Sequence, residues 1–231
     1  MIVNGGFETN GGAGVSDLTG WPIVDQVNKT FGTWYAQTGT TAPDSHLGVA
    51  APPQGTFAAM GDDDMYASSV LYQDVSIPIG VNARLSLQRY VRSGNDMVGT
   101  CPFVTPPSLD FGYDNYQNQQ ARIDIMDPSA SVDDVGSGVL LNVFRTNVGD
   151  VPISGYSTVT ADLTPFAGQT IRLRFAFVSG TCNLMFGVDS VSIATSSHTA
   201  TSVPTLSEWG LVGMSLLIGV AGLFWFRRRG A

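Results

Sequence analysis

The sequence predicts an all-β fold, a two-sheet jelly-roll sandwich, followed by a single C-terminal transmembrane helix. Apolar and polar residues alternate in many short runs, turn-forming residues separate these runs, and one long uncharged apolar stretch lies near the C-terminus. We assign residues 1–194 to the sandwich, residues 195–202 to a Ser/Thr-rich linker and residues 203–231 to a C-terminal segment. A chain of 231 residues has room for one such domain and a tail.

The strands are predicted from apolar side chains at every second position. The clearest run is residues 171–177, and the same spacing recurs at residues 85–87, 123–125 and 191–193. Turn-forming residues at 93–96, 127–129, 148–150 and 162–168 separate such runs. A domain of about eight to ten strands is expected from this pattern. Residues 97–119, rich in Pro, Tyr and Asn, are predicted to form a long surface loop.

The charge balance argues against nucleic acid as a partner. Before residue 203 there are 8 Lys and Arg against 18 Asp and Glu, and this excess of negative charge opposes binding to a polyanion. Aspartate dominates the acidic residues, and short carboxylates are ligands that calcium prefers.

The two cysteines, Cys101 and Cys182, lack the paired spacing of a zinc or redox motif. They predict either one long-range disulfide, which would fit an oxidising compartment, or two buried free thiols.

The last segment has the features of a membrane span. Residues 210–226 contain no charge and are followed at once by Arg227, Arg228 and Arg229. A helix of this length rises about 25 Å, which can cross a bilayer when its flanking tryptophans and arginines reach the interfaces. A buried core helix is the alternative, but the stretch has no polar face. Because positive residues stay cytoplasmic, the preceding domain is expected outside the inner membrane.

That orientation requires an export signal. The chain opens without the basic start and apolar stretch of a signal peptide. We expect a start codon further upstream or a leader outside the given sequence, with a tail-anchored cytoplasmic protein as the alternative.

A short motif precedes the apolar stretch. It consists of Val203, Pro204, Thr205, Leu206, Ser207, Glu208 and Trp209. With the apolar stretch and the arginines, this motif resembles the IPTL-CTERM sorting signal of Gram-negative bacteria, a relative of the PEP-CTERM signal handled by exosortases. Its first residue is valine where the family usually has isoleucine. The resemblance implies an exosortase-like membrane enzyme as partner, a precursor in the inner membrane with a periplasmic domain, and delivery to the cell surface or outside the cell.

A series of short motifs runs from one end of the predicted sandwich to the other: residues 3–8, Gly20–Trp21, a Gly61–Asp62 turn, residues 121–125, residues 162–175 and residues 187–193. In this order they resemble galactose-binding-like jelly rolls of the carbohydrate-binding-module type. The resemblance implies sugar binding and a structural calcium ion held by Glu8, Asp189 and main-chain carbonyls.

The position of Asp189 in its predicted strand also suggests that its carboxylate is partly buried. It shares a strand face with Val191 and Ile193, so its carboxylate should be partly desolvated and need a cation, hydrogen-bond donors or a place at the strand end. Asp62 is a candidate third calcium ligand, whereas Asp63 and Asp64 are expected in solvent. A hydrogen-bonded clasp without metal and unrelated surface acids are the alternatives.

The histidines offer little for catalysis. His198 lies in the linker, and His46, the only other histidine, has no nucleophile elbow or metal-ligand spacing nearby. No phosphate-binding glycine loop or zinc motif is present in the sequence. We therefore predict a non-catalytic protein, with a carboxylate-dependent hydrolase left open because the separation of two aspartates is invisible in sequence.

Binding of extracellular polysaccharide is the leading functional hypothesis, since sugars stack on aromatic faces. Trp34, Tyr35, Tyr113 and Tyr116 are candidates for an exposed ligand platform, whereas Trp21 is expected to be packed. The alternative hypothesis is a structural subunit of a surface layer or biofilm matrix without a ligand groove.

Overall fold

The computed structural model of the chain describes residues 1–26, 32–64, 66–95, 97, 99–197, 210, 215–218 and 225. The chain divides into two units, residues 1–197 and residues 198–231. The first unit is a sandwich of two antiparallel sheets, which confirms the predicted fold class. Its last strand continues to Ser197, so residues 195–197 belong to the sandwich and not to the predicted linker.

The described part of the first unit contains eleven strands. In chain order they are β1 (Ile23–Asp25), β2 (Thr33–Gln37), β3 (Ala58–Asp62), β4 (Ala67–Ser76), β5 (Val81–Asn95), β6 (Gly99–Thr100), β7 (Gln119–Met126), β8 (Val139–Arg145), β9 (Ile153–Asp162), β10 (Thr170–Ser179) and β11 (Leu184–Ser197). The first sheet has the order β1-β4-β10-β7-β8. In the second sheet the order is β2-β3-β11-β5, and both β6 and β9 pair with β5. A helical turn at Tyr113–Tyr116 and a 3-10 helix at Thr164–Phe166 complete the elements.

The core lies between the two sheets, where the alternating apolar residues meet. Phe177 on β10 is fully buried and packs edge-on against Trp34 of β2, with ring centroids 5.8 Å apart. Trp21 is packed as predicted, 5.3 Å from Phe7 and 5.5 Å from Phe175. Burial of such aromatic side chains removes a large apolar area from water and is the main force that holds the sheets together.

Gly61 lies inside β3 and not in the turn that the sequence motif suggested. A Cβ atom at this position would come within 2.5 Å of the Phe177 ring. Glycine is therefore required here because the aromatic ring packs directly on the main chain of β3.

Loops cover the outer face of the first sheet. Ala176 and Val178 on β10 pack there with Val70 of β4 and with Leu109, which belongs to the loop of residues 101–118. Every residue of β10 after Thr170 is consequently buried, although the alternating sequence alone suggests a strand with one exposed face.

A buried group of charges lies on the same outer face. Arg174 of β10 pairs with Asp124 of β7 at 2.5 Å, and both side chains are fully buried. Arg122 binds the same carboxylate at 2.7 Å. Burial opposes ionisation of Asp124, but the hydrogen bonds and charges of the two arginines outweigh it and hold the pKa of Asp124 below its ordinary value.

Arg174 also anchors a loop. Its Nη1 atom donates hydrogen bonds to the carbonyl oxygens of Val132 and Asp134, each at 2.7 Å. One guanidinium group therefore joins two strands of the first sheet to the loop of residues 127–138.

We expect Arg174→Met to lower the free energy of unfolding by about 3 to 5 kcal/mol, because it breaks a buried ion pair and releases two loop carbonyls. The matched control is Arg84→Met, since Arg84 is an exposed arginine that donates to Thr160. Urea denaturation measures both changes, and equal small losses would contradict the role assigned to Arg174.

Candidate functional site

The N-terminal segment meets β11 where this strand leaves its regular pairing with β5. The register shifts between Asp189 and Ser192, and Ser190 has a φ of 54°. The main-chain N–H of Val191 donates to the carbonyl oxygen of Gly5 at 2.8 Å. A Cβ atom on Gly5 would lie 1.9 Å from the Val191 oxygen, so only glycine fits this approach.

Glu8 and Asp189 are held by one short segment of main chain at this bulge. The Oε1 atom of Glu8 accepts hydrogen bonds from the N–H groups of Thr56 and Phe57, at 2.9 and 3.0 Å. The Oδ2 atom of Asp189 accepts one from the N–H of Gln54 at 3.2 Å. The structure therefore brings together the two carboxylates that the sequence motifs placed in one site.

The ionised form of the Asp189 carboxylate is disfavoured by its surroundings. Its side chain is fully buried, and this burial, helped by the charge of Glu8, raises its pKa to about 6 despite hydrogen bonds from Ser190 and Gln54. A buried carboxylate beside a second, exposed carboxylate can bind a cation or hold a proton.

Asp62 is not part of this pair, so its predicted role as third calcium ligand is wrong. The register places Val188 opposite Ala59 and Phe186 opposite Gly61. Asp62 therefore lies about 13 Å along the strand from the level of Asp189, at about 3.3 Å per residue. Within the described residues, no group of three acidic, histidine or cysteine side chains is arranged to hold a metal ion.

Asp62 and Asp63 have structural partners instead. Asp62 accepts hydrogen bonds from the hydroxyl and N–H groups of Ser45. Asp63 is fully buried, contrary to the prediction that it is solvated, and accepts from Ser179 and from the N–H of Leu184. Burial raises the pKa of both aspartates. Only Asp64 is exposed as predicted.

A groove of about 890 Å³ opens on the outer face of the first sheet. Its floor includes Val70 of β4, and its sides are formed by three segments that are distant in sequence. The residues that line it are Val24, Asp25, Gln26, Ser68, Val70, Pro107, Ser108, Leu109, Asp110, Ser131, Val132, Asp133, Asp134 and Val135. Sequence reasoning did not identify this site, because no local motif joins its three segments.

Both walls of the groove are fixed by buried groups. Arg174 holds the wall at residues 131–135 through the carbonyls of Val132 and Asp134. On the other side, the side chain of Gln120 donates to the carbonyl oxygen of Ser108 at 2.9 Å. Main-chain segments that are already held in place need little ordering when a ligand enters.

A disulfide between Cys101 and Cys182 joins the loop of residues 101–118 to the turn between β10 and β11, with sulfur atoms 2.10 Å apart. The Cys182 carbonyl oxygen accepts hydrogen bonds from Gln119 and Ser179, each at 2.7 Å. The start of the loop that forms one groove wall is thereby tied to the sandwich.

An aromatic cluster lies on the same loop. The Tyr116 ring is 4.7 Å from that of Tyr66 and stacks on Phe111 at 6.2 Å. Tyr113 and Tyr116 are 42% and 46% exposed, so both present ring surface to solvent. The main chain at Asp114 and Tyr116 has positive φ angles of 47° and 67°, a conformation that costs roughly 1 to 2 kcal/mol per residue.

Of the other two platform candidates, Trp34 is buried and Tyr35 is half-buried. Trp34 is fully buried in the core, so the prediction of an exposed ring is wrong. Trp34 and Ala36 lie two positions apart on the same face of β2, and both side chains belong to the core. Tyr35 is half-buried, and burial with the nearby carboxylates of Asp44 and Asp62 raises its pKa.

His46 is exposed, as expected for a surface loop. Its Nδ1 atom lies 2.5 Å from the carbonyl oxygen of Asp44.

Much of the C-terminal segment lies outside the described residues, including the predicted motif Val203 to Trp209 and the arginines 227–229. Gly210, residues 215–218 and Trp225 are helical. Among the described residues, no helix has the length and apolar character needed to cross a membrane. The span predicted at 210–226 therefore stays a prediction.

Comparison with known protein families confirms the sorting signal predicted from the sequence. Residues 201–229 match the IPTL-CTERM motif. No curated protein matches the chain.

The sandwich is similar to several solved structures. TmCBM61, in complex with β-1,4-galactotriose, is 15% identical, with a TM-score of 0.46 over 84% of this chain and 97% of that chain. The Stig cyclase Fisc from Fischerella sp. TAU is 14% identical, with a TM-score of 0.48 over 85% and 96%. The cleaved adhesin domain of Lys-gingipain from Porphyromonas gingivalis is 11% identical, with a TM-score of 0.44 over 76% and 90%. At these identities and TM-scores the similarity carries no argument about function.

In metal-free buffer, the free energy of unfolding should depend on pH through Asp189. The folded protein holds the proton up to a pKa of about 6, above the ordinary 3.8, so this contribution to stability is complete below pH 3.8 and lost as the pH rises through 6. The pKa difference corresponds to about 3 kcal/mol.

Asp189→Asn should remove this contribution, and Asp150→Asn, a change at an exposed turn, should keep it. Urea denaturation between pH 4 and 7 measures the difference. Parallel pH profiles for the wild type and Asp189→Asn would contradict the raised pKa.

Proposed function

We propose that this protein is sorted to the cell surface and binds extracellular carbohydrate in the groove on the first sheet. The observation that carries the proposal is the groove itself, whose lining combines an apolar floor with carboxylate, amide and hydroxyl groups. Sugar rings offer apolar C–H faces and hydroxyl groups, so this mixture suits them. The IPTL-CTERM motif supports delivery to the surface through an exosortase-like enzyme, from a precursor anchored in the membrane.

The aromatic cluster extends the proposed site along the same loop. Phe111 follows the groove residue Asp110 directly, and its main-chain N–H donates to the side chain of Gln26, another lining residue. Tyr116 stacks on Phe111. A polysaccharide chain that leaves the groove on this side would meet the exposed rings of Tyr113 and Tyr116, where stacking contributes about 1 kcal/mol per ring.

A bulky residue in the groove should abolish glycan binding. Ser131 is exposed and lines the groove, so Ser131→Trp fills the space with little effect on the core. Ser129→Trp is the matched control, because Ser129 is exposed on the same loop without lining the groove.

Titration of the full chain in detergent with a panel of neutral, basic and acidic oligosaccharides tests the proposal. We expect the wild type and Ser129→Trp to bind at least one oligosaccharide and Ser131→Trp to bind it at least tenfold more weakly, an effect of about 1.4 kcal/mol or more. Absence of binding to every oligosaccharide, with self-association of the full chain instead, would favour the structural-subunit alternative.

Calcium is proposed as a structural ion between Glu8 and Asp189. The cation would neutralise two carboxylates that otherwise repel each other at the bulge of β11. Since calcium takes six to eight oxygen ligands, main-chain carbonyls and water would have to complete the site. The hydrogen bonds from Gln54, Thr56 and Phe57 are the basis of the alternative, a clasp without metal.

Calcium should raise the melting temperature of the full chain by about 2 to 4 °C for each kcal/mol of binding free energy, and a chelator should reverse this rise. Asp189→Asn should lose the response. Asp62→Asn should retain it, because Asp62 is distant along the strand. Melting curves that are identical in calcium and in chelator would reject the ion and leave the clasp.

A further inference from the structure

The charged residues that line the groove on the first sheet are all negative in the described part of the chain. Asp25, Asp110, Asp133 and Asp134 line it, and its lining contains no lysine, arginine or histidine among the described residues. The carboxylate of Asp25 is engaged by the hydroxyls of Thr33 and Ser69. Of the lining residues that the structure describes, the charges that a ligand would meet are therefore those of Asp110, Asp133 and Asp134.

The groove carboxylates are supported by neutral donors. Asp110 accepts hydrogen bonds from the side chain of Gln26 and the N–H of Gly112, at 2.7 and 2.8 Å. Asp133 accepts from the hydroxyl of Ser131. These donors orient the carboxylates without cancelling their negative charge.

Asp134 is arranged in the same way. Its two carboxylate oxygens accept from the N–H groups of Gly136 and Gly138, each at 2.7 Å, and these bonds lower its pKa. The group is therefore an anion at neutral pH.

The neighbouring arginine does not reverse this charge. Arg174 is fully buried and its guanidinium is engaged by Asp124 at 2.5 Å. Its bond to Asp134 goes to the main-chain carbonyl and not to the carboxylate. The cation therefore holds the groove wall from behind and is not available to a ligand.

From this charge distribution we infer that the groove binds glycans whose amino sugars carry free ammonium groups and rejects uronic-acid polymers. The inference rests on the proposed function and names the ligand class of the same site. An ammonium group gains from several nearby carboxylates, and a uronate in the same position is repelled by them. Because the groove is open to solvent, salt should screen both effects.

Three oligosaccharides of equal length test the inference: a glucosamine hexamer, its N-acetylated form and a galacturonate hexamer. Binding to the full chain in detergent is measured at about 50 and 500 mM NaCl, concentrations between which the screening length falls to about a third. At low salt we expect the glucosamine hexamer to bind about tenfold more tightly than the N-acetylated hexamer and the galacturonate hexamer not to bind. The advantage of the glucosamine hexamer should largely disappear at high salt.

Variants separate the groove from the general acidity of the protein. Asp133→Asn and Asp110→Asn should each reduce the preference for the glucosamine hexamer about threefold, while affinity for the N-acetylated hexamer is kept. Asp127→Asn removes the same charge from an exposed turn that does not line the groove, and should leave the preference unchanged. Ser131→Trp keeps the charge of all four carboxylates, although it removes the hydroxyl that donates to Asp133, and should lose the binding of both glucosamine hexamers.

The outcomes distinguish the two claims. The charge selectivity would be overturned if the galacturonate hexamer bound as tightly as the glucosamine hexamer. If this binding were also lost in Ser131→Trp, the result would support the groove as a carbohydrate site. Glucosamine binding that persists in Ser131→Trp would overturn the inference by assigning the attraction to the general acidic surface. Failure of all three hexamers and of every other oligosaccharide to bind would overturn the proposed function itself.

Discussion

The ion pair between Arg174 and Asp124 is the interaction on which the outer face of the first sheet depends. A buried guanidinium group is tolerated only when nearly all of its donors are paired, and here one carboxylate and two loop carbonyls accept them. The loop in turn needs the arginine, because its carbonyl groups must have a hydrogen-bond donor once the loop covers the sheet. A polar constraint therefore determines where the wall of the groove lies.

A different constraint joins the N-terminal segment to the last strand. The bulge in β11 turns Asp189 towards the main chain of residues 54–57, and the contact of Gly5 with Val191 brings Glu8 to the same place. The result is an acidic pair in which Asp189 is buried and Glu8 is exposed. It lies in a different part of the sandwich from the groove, and none of its residues lines that groove. The proposed structural ion and the proposed ligand therefore use separate sites.

Several side chains show how far a period-two pattern can be used. The alternation of residues 171–177 correctly predicted which side chains of β10 enter the core. The same rule applied to Trp34 and Ala36 would have placed the tryptophan inside, but its neighbour Tyr35 suggested an exposed aromatic pair. Asp63 was misplaced for another reason: its burial depends on donors at Ser179 and Leu184, more than a hundred residues away in sequence.

The resemblance to galactose-binding-like jelly rolls predicted the convergence of Glu8 with Asp189. The sequence by itself determined the sorting motif, the strand periodicity and the excess of negative charge. These features depend on neighbouring residues, on composition or on motifs that mark strands. Only the tertiary structure decided the exclusion of Asp62 from that pair, the buried charges around Asp124 and the groove with its aspartates. The groove is formed by residues 24–26, Ser68, Val70, residues 107–110 and residues 131–135, which become neighbours when loops fold over a sheet. Such a site has no local pattern, because its geometry arises from long-range packing.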